Sequence, residues 1–240
     1  MRDRPPHDIP GPRRGFTLVE LLVVVAIVAT LMAVLLPSLG RARVAGQRTV
    51  CLSNLRQVAL GFDHYRADHG DVYPAAQDPV STDPFCWLWM GRGFRRFVGP
   101  YLVEDISVEN PSVLVCSADR APADRFERTS FAYSMAFYYH PDRIDEMTSP
   151  ADTYSNAPRP HGQRSTDVRT PAAKIMAGEW TSNHAPVKDD NGWWNWSGTR
   201  NFLFADGHAE PVAARRIAPA RDGLPDPNLT VGGVRGRDMR

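Results

Sequence analysis

The chain has 240 residues, with 28 Lys+Arg against 27 Asp+Glu and a formal net charge of +1. That balance excludes a nucleic-acid binder held by global charge, which carries a clear basic excess. Hydrophobic residues at 42% exclude a fully disordered chain, 21 Pro exclude an all-helical bundle, and three Cys exclude a disulfide-dense scaffold.

Residues 1–15, MRDRPPHDIPGPRRG, are polar, Pro-rich and basic. From Phe16 to Pro37 the chain turns apolar, and between Val19 and Leu36 its one ionisable side chain is Glu20. An apolar run of about 20 residues makes a helix roughly 30 Å long, the thickness of a bilayer core. A buried soluble helix of that length carries a polar face, and this run has none. Arg13 and Arg14 predict that residues 1–14 stay in the cytoplasm and the rest is exported. The run exceeds a secretory h-region and no small-x-small cleavage site ends it. Glu20 is a candidate functional residue, because a carboxylate costs roughly 2.5–3.5 kcal/mol at a membrane-helix centre and less near the interface. The alternative is a snorkelling side chain with no partner.

Arg14-Gly15-Phe16-Thr17-Leu18-Val19-Glu20 resembles the cleavage and methylation signal of type IV pilins and type II secretion pseudopilins. The resemblance implies that a prepilin peptidase cuts after Gly15 and that Phe16 becomes the methylated N-terminus. It makes Glu20 the acidic residue that serves assembly, and Pro37 the helix-kinking proline. The chemistry is coherent on its own terms. Cleavage exposes a cationic amine on Phe16, and a carboxylate one turn along can neutralise an amine in a low-dielectric setting. By resemblance, that amine belongs to a neighbouring subunit. Gly15, lacking a side chain, lets a protease approach the backbone.

Beyond Pro37, Val44, Cys51, Leu52, Leu55, Val58, Ala59, Phe62 and Tyr65 recur at spacings of three and four. That periodicity predicts an amphipathic continuation over 38–74, ended by Gly70 and Pro74. One helix of roughly 50 residues is expected, its first half (16–37) in the membrane and its second half on a globular head. Cys51 through Leu60 (CLSNLRQVAL), then Tyr65, Asp68, Gly70 and Tyr73-Pro74, resemble planctomycete pilin-like proteins with a prepilin-type processing-associated domain. Their C-terminal mark is a His, nine residues, then Asp-Gly. Asn201–His208 matches its end, with Trp196 at the His position. Val115-Cys116-Ser117, Ser130–Ser134 and Ala177-Gly178-Glu179 follow in the expected order, so the resemblance spans about residues 13–210.

The head, 75–213, reads as β-rich. Ser112–Cys116, Phe131–Tyr139 and Lys174–Ala177 are strand candidates. Asn201–Ala205 and His208–Val212 flank Asp206-Gly207, a two-residue hairpin signal in which both residues can take φ > 0. Residues 75–100 and 140–170 read as irregular. Residues 214–240, with few large apolar side chains and several Gly, Pro and Arg, read as a flexible tail. The expected fold is α+β, a long N-terminal helix packed on an antiparallel sheet.

No catalytic constellation appears. His64, His69, His140, His161, His184 and His208 are scattered, with no HExxH, CxxC or GxSxG and no paired Cys/His metal spacing. No cofactor is expected. Asp189-Asp190-Asn191-Gly192 could offer oxygens to calcium, but lacks the spacing of a calcium loop and also reads as a plain turn. Trp193, Trp194 and Trp196 suit either a packed core or stacking on a sugar, and with Phe85, Trp87 and Trp89 could cover one side of the sheet. Three Cys allow three single pairings. The resembling proteins often carry cysteines at Cys51 and Cys116, which implies that pair, with Cys86 left over.

The expected protein is a structural, non-enzymatic subunit of the inner membrane, single-pass with its head outside the cytoplasm. Its partners would be a prepilin peptidase and other pilin-like subunits, and no nucleic acid. It would assemble into a type IV pilus or a type II secretion pseudopilus. The alternative is a membrane-anchored surface-binding module, with glycans as candidate ligands, that does not polymerise.

Overall fold

The computed structural model describes residues 17–75, 94–102, 112–120, 129–153 and 160–240. Gly15 and Phe16 lie outside the described residues, as do Phe85, Cys86, Trp87 and Trp89. The chain divides into two units, Met1–Arg43 and Val44–Arg240.

Helix α1 runs over Leu18–Asp68, 51 residues with Pro37 inside it. In the first unit every described residue of α1 is exposed, Leu18 at 84% and Leu36 at 65%. This stretch is long and apolar enough to cross a membrane. Its hydroxyls are satisfied within the helix: Thr30 Oγ1 donates to the Ala26 carbonyl and Ser38 Oγ to that of Leu35, both at 2.8 Å. Such back-bonding is what lipid demands of a polar side chain.

In the second unit α1 buries Cys51, Leu55, Val58, Ala59 and Phe62 of the expected stripe, with Gly61 beside them, while Leu52 and Tyr65 are half-buried and Val44 is exposed. Burying each of the larger side chains stabilises the head by about 1.5–3 kcal/mol. Phe62 packs on Tyr133 and on Phe94 of α2 (Phe94–Val98), ring centroids 4.9 and 5.9 Å apart. The helix stops where Gly70 and Asp71 both take φ +64°, a conformation α-helix cannot continue through.

The sheet has four antiparallel strands in sequence order: β1 (Phe131–Tyr133), β2 (Ile175–Glu179), β3 (Thr199–Phe204) and β4 (Ala209–Ala213). β1 meets β2 through Phe131 opposite Glu179, and β3 meets β4 through Leu203 opposite Ala209. All five residues of β2 are buried, so both faces of that strand are covered. The α+β layout matches the expected one.

Several local expectations are corrected. The β3–β4 connection is a three-residue loop, because the Phe204 N–H donates to the His208 carbonyl. Gly207 alone takes positive φ (86°), while Asp206 accepts from the His208 N–H. Ser112–Leu114 is a 3-10 turn rather than part of a strand. Its backbone is claimed elsewhere: the Cys116 N–H donates to Ser130 Oγ and the Ser130 N–H to the Leu114 carbonyl. β1 ends at Tyr133 because Ser134 caps a 3-10 turn at Met135–Phe137 and donates its hydroxyl to the Pro227 carbonyl. The Met135 N–H goes to Asn228 Oδ1.

The largest correction concerns 214–240, which is packed rather than mobile. Ile217, Leu229 and Val234 are buried. Polar anchors hold the segment as firmly as apolar ones. Lys174, fully buried at the start of β2, pairs with Asp238 Oδ2 at 3.1 Å and donates to Thr230 Oγ1. The same carboxylate accepts from the Ile175 N–H at 2.7 Å and from the Thr230 hydroxyl. Gly236 is a close approach: a Cβ there would sit 2.0 Å from the Val231 carbonyl oxygen. Burial pushes the Lys174 ammonium below its ordinary pKa, and Asp238 opposes that. Asp238→Ala should therefore destabilise the head by about 3–5 kcal/mol, because it strands a buried cation. Adding Lys174→Met should recover much of the loss. Thermal melts of both variants check this, and equal destabilisation would show the ion pair to be irrelevant.

Asp226 adds a pH dependence. It is buried, its Oδ1 accepting from the Asn228 N–H and its Oδ2 from Trp194 Nε1. Burial, reinforced by the nearby charge of Asp222, pushes its carboxyl up to about 7. An unfolded Asp ionises near about 3.9, so the folded state holds the proton more tightly. This group's stabilisation is complete below about 4 and is lost as pH rises through about 7. The melting temperature should fall across that window in the parent. In Asp226→Asn that fall should be shallower, and equal slopes would contradict the assignment.

Candidate functional site

Thr17 and Glu20 form a reciprocal cap at the start of α1. Glu20 Oε2 accepts from the Thr17 N–H (2.9 Å) and from Thr17 Oγ1 (2.8 Å), while the Glu20 N–H donates to Thr17 Oγ1 (3.2 Å). This is the capping-box arrangement, which satisfies amide groups that a helix start leaves without partners. The Thr-x-x-Glu spacing ahead of an apolar run is its sequence signal. Thr17 thus joins Glu20 in the site, a role that the isolated carboxylate did not suggest. The cap also fixes the Glu20 carboxylate at the first turn of α1.

A second constellation is buried in the head. Cys51 of α1 and Cys116 are disulfide-bonded, Cα atoms 5.0 Å apart and 65 residues apart in sequence. Asn54 Nδ2 donates to the Val115 carbonyl and Gln47 Nε2 to that of Ser117, so α1 clasps the Cys116 segment on both sides of the bond. His184 Nε2 lies 3.3 Å from Cys116 Sγ and 3.1 Å from Glu179 Oε1. Glu179, fully buried at the end of β2, accepts from the Asn201 N–H and Nδ2 at 3.0 and 3.1 Å. No sequence motif assigns Glu179, His184 or Asn201 a role. Their one signal is a carboxylate closing the apolar strand Ile175–Glu179.

The remaining candidates have structural partners. Asp190 Oδ2 accepts from the Ser182 N–H and Oδ1 from the Gly192 N–H and Arg200, and Asp189 has φ +53°. Three protein donors thus bind the Asp190 carboxylate. Trp193 is buried and donates Nε1 to the Glu179 carbonyl, and Trp194 donates to Asp226. Trp180 packs against both, tilted on Trp193 and edge-on to Trp194, centroids 5.6 and 5.1 Å away. Gly192, at φ +76°, leaves the room that the Trp180 ring fills. Trp196 is 36% exposed beneath the Arg240 guanidinium, 5.6 Å from its ring centroid. The three tryptophans therefore offer no continuous platform for a sugar.

Residues 11–36 match the family description "Prokaryotic N-terminal methylation motif". The chain is also 43% identical over 56 residues to the type IV wide pilus major component PilA4 of Thermus thermophilus. That stretch is 23% of this chain and 43% of the relative, so the similarity spans less than half of the relative's length. No solved structure gives a significant match. Over these stretches the chain is similar to a type IV pilin, and the exposed apolar part of α1 fits a membrane anchor.

Proposed function

We propose that this chain is a prepilin-like structural subunit. A prepilin peptidase cuts after Gly15, Phe16 carries the new methylated amine, and the helix holds the subunit in the inner membrane with its head outside the cytoplasm. Subunits then bundle through the apolar part of α1 into a filament. The filament is a type IV pilus or a type II secretion pseudopilus, and the similarity to the wide-pilus component supports a pilin-like subunit in either.

The observation that carries this reading is the described stretch from Leu18 to Leu39, apolar all round except at Glu20, Thr30 and Ser38 and covered by nothing in its own unit. Apolar surface of that extent calls for lipid or for copies of itself. Lipid already satisfies apolar side chains, so bundling draws its specificity from close packing and from the Glu20–amine contact.

Mass spectrometry of the protein recovered from cells tests the proposal. The expected mature chain begins at Phe16 and carries one added methyl group. A chain that still begins upstream of Gly15, or one trimmed beyond residue 37, would refute it.

A further inference from the structure

The chemistry gathered around the disulfide exceeds what a staple requires. Cys51, Cys116, Glu179 and His184 are all buried, and one ligand atom from each lies within 4.8 Å of the other three. They arrive from α1, from the segment after the 3-10 turn at 112–114, from the end of β2 and from the loop beyond it. We propose that, once the Cys51–Cys116 bond is reduced, this pocket binds one zinc-type divalent cation through two thiolates, an imidazole and a carboxylate.

The donor set and its dimensions both fit. Zinc takes four ligands in a tetrahedron, sulfur at about 2.3 Å and nitrogen or oxygen at about 2.0–2.2 Å, so neighbouring ligand atoms lie roughly 3.3–3.8 Å apart. Two edges are already near that length: Cys116 Sγ to His184 Nε2 at 3.3 Å, and His184 Nε2 to Glu179 Oε1 at 3.1 Å. The two bonded sulfurs must separate, and the remaining edges, all within 4.8 Å, must settle to that length. A supporting shell is also in place. Asn201 holds both Glu179 oxygens, and Ser130 Oγ accepts from the Cys116 N–H. Outer contacts of this kind orient metal ligands and are commonly worth about 10–100-fold in affinity. Ligation through Nε2 places the ring proton on His184 Nδ1, which is buried with no acceptor among the described residues, so the outer support of the site rests on Asn201 and Ser130.

The chemistry balances. A dithiol reductant transfers two electrons and two protons to the bond and closes into its own disulfide. A phosphine does the same while taking oxygen from water to become a phosphine oxide. The cation then displaces both thiol protons to solvent. Without it the two sulfurs keep their protons; with it two thiolates lie beside a buried carboxylate, and the dication cancels two of those three charges.

The test uses the full chain in detergent, with Cys86→Ser to remove the third thiol, reduced by a phosphine without oxygen and titrated with Co²⁺. The expected result is one cobalt per chain, with a near-ultraviolet thiolate charge-transfer band and the strong visible bands of a tetrahedral centre. Zn²⁺ should abolish both. The oxidised chain and a Cys51→Ser variant should show neither. Glu179→Gln and His184→Ala should each weaken binding at least tenfold. Circular dichroism of the same samples follows the fold: if reduction unfolds the head, Zn²⁺ should restore its melt. A reduced chain with no cobalt bands and no restored melt would overturn the proposal. So would Glu179→Gln and His184→Ala variants that bind as tightly as their parent.

Discussion

Glu20→Ala should leave the protein in the membrane but lower its incorporation into filaments roughly a hundredfold. The effect follows from two demands on one carboxylate. In the structure Glu20 closes the Thr17 cap, and losing a cap costs about 1 kcal/mol. In the proposed assembly it also neutralises the amine at Phe16. Removing one member of a buried ion pair costs about 3–5 kcal/mol because the other charge is left unpaired. At about 1.4 kcal/mol per factor of ten, even the lower figure exceeds a hundredfold. Thr17→Val separates the demands, since it removes the cap hydroxyl and keeps the carboxylate. Its incorporation should fall far less. Membrane fractionation and quantification of sheared filaments measure both variants. Equal defects would mean that Glu20 acts as a cap and nothing more.

The paired substitution Cys51→Ala/Cys116→Ala should destabilise the head by about 4 kcal/mol. Opening a loop of 65 residues restores chain entropy of that size to the unfolded state. The staple also matters locally. Around Cys116 the chain forms no strand ladder, so α1 holds it through the disulfide and the side chains of Asn54 and Gln47. Denaturant unfolding of the oxidised protein and the variant, without metal, gives the difference. A loss below about 1 kcal/mol would show that the bond constrains little in the unfolded chain. Because reduction and metal binding are coupled in the proposed pocket, added Zn²⁺ should stabilise the reduced parent and leave the double variant unchanged.

Part of this protein is legible in its residues alone. The apolar run, its lone carboxylate and the three-and-four spacing beyond Pro37 imply a helix, which the structure places at Leu18–Asp68. These features are local: a helix repeats every 3.6 residues, and an interior stripe or a lipid-facing surface is written in consecutive residues. The β3–β4 hairpin is legible for the same reason, although Asp206-Gly207 misleads about its length. The register depends on which carbonyl the Phe204 N–H reaches, and dipeptide identity does not decide that.

Only the tertiary structure decides the rest. Ser112–Cys116 and Ser134–Tyr139 have strand-like composition, yet Ser130 binds the Cys116 N–H, Asn228 the Met135 N–H and Pro227 the Ser134 hydroxyl, all from outside the local segment. Residues 214–240 carry few large apolar side chains, and a count of those underrates them. Their anchors are Thr230 and Asp238, bound to a lysine whose burial no local pattern reveals. The cysteine–histidine–carboxylate pocket is the extreme case. Its four ligands stand at positions 51, 116, 179 and 184, three of them widely separated, and no spacing motif joins them. Periodicity fixes which side of an element is buried, but contacts between distant segments arise only when the whole chain closes on itself.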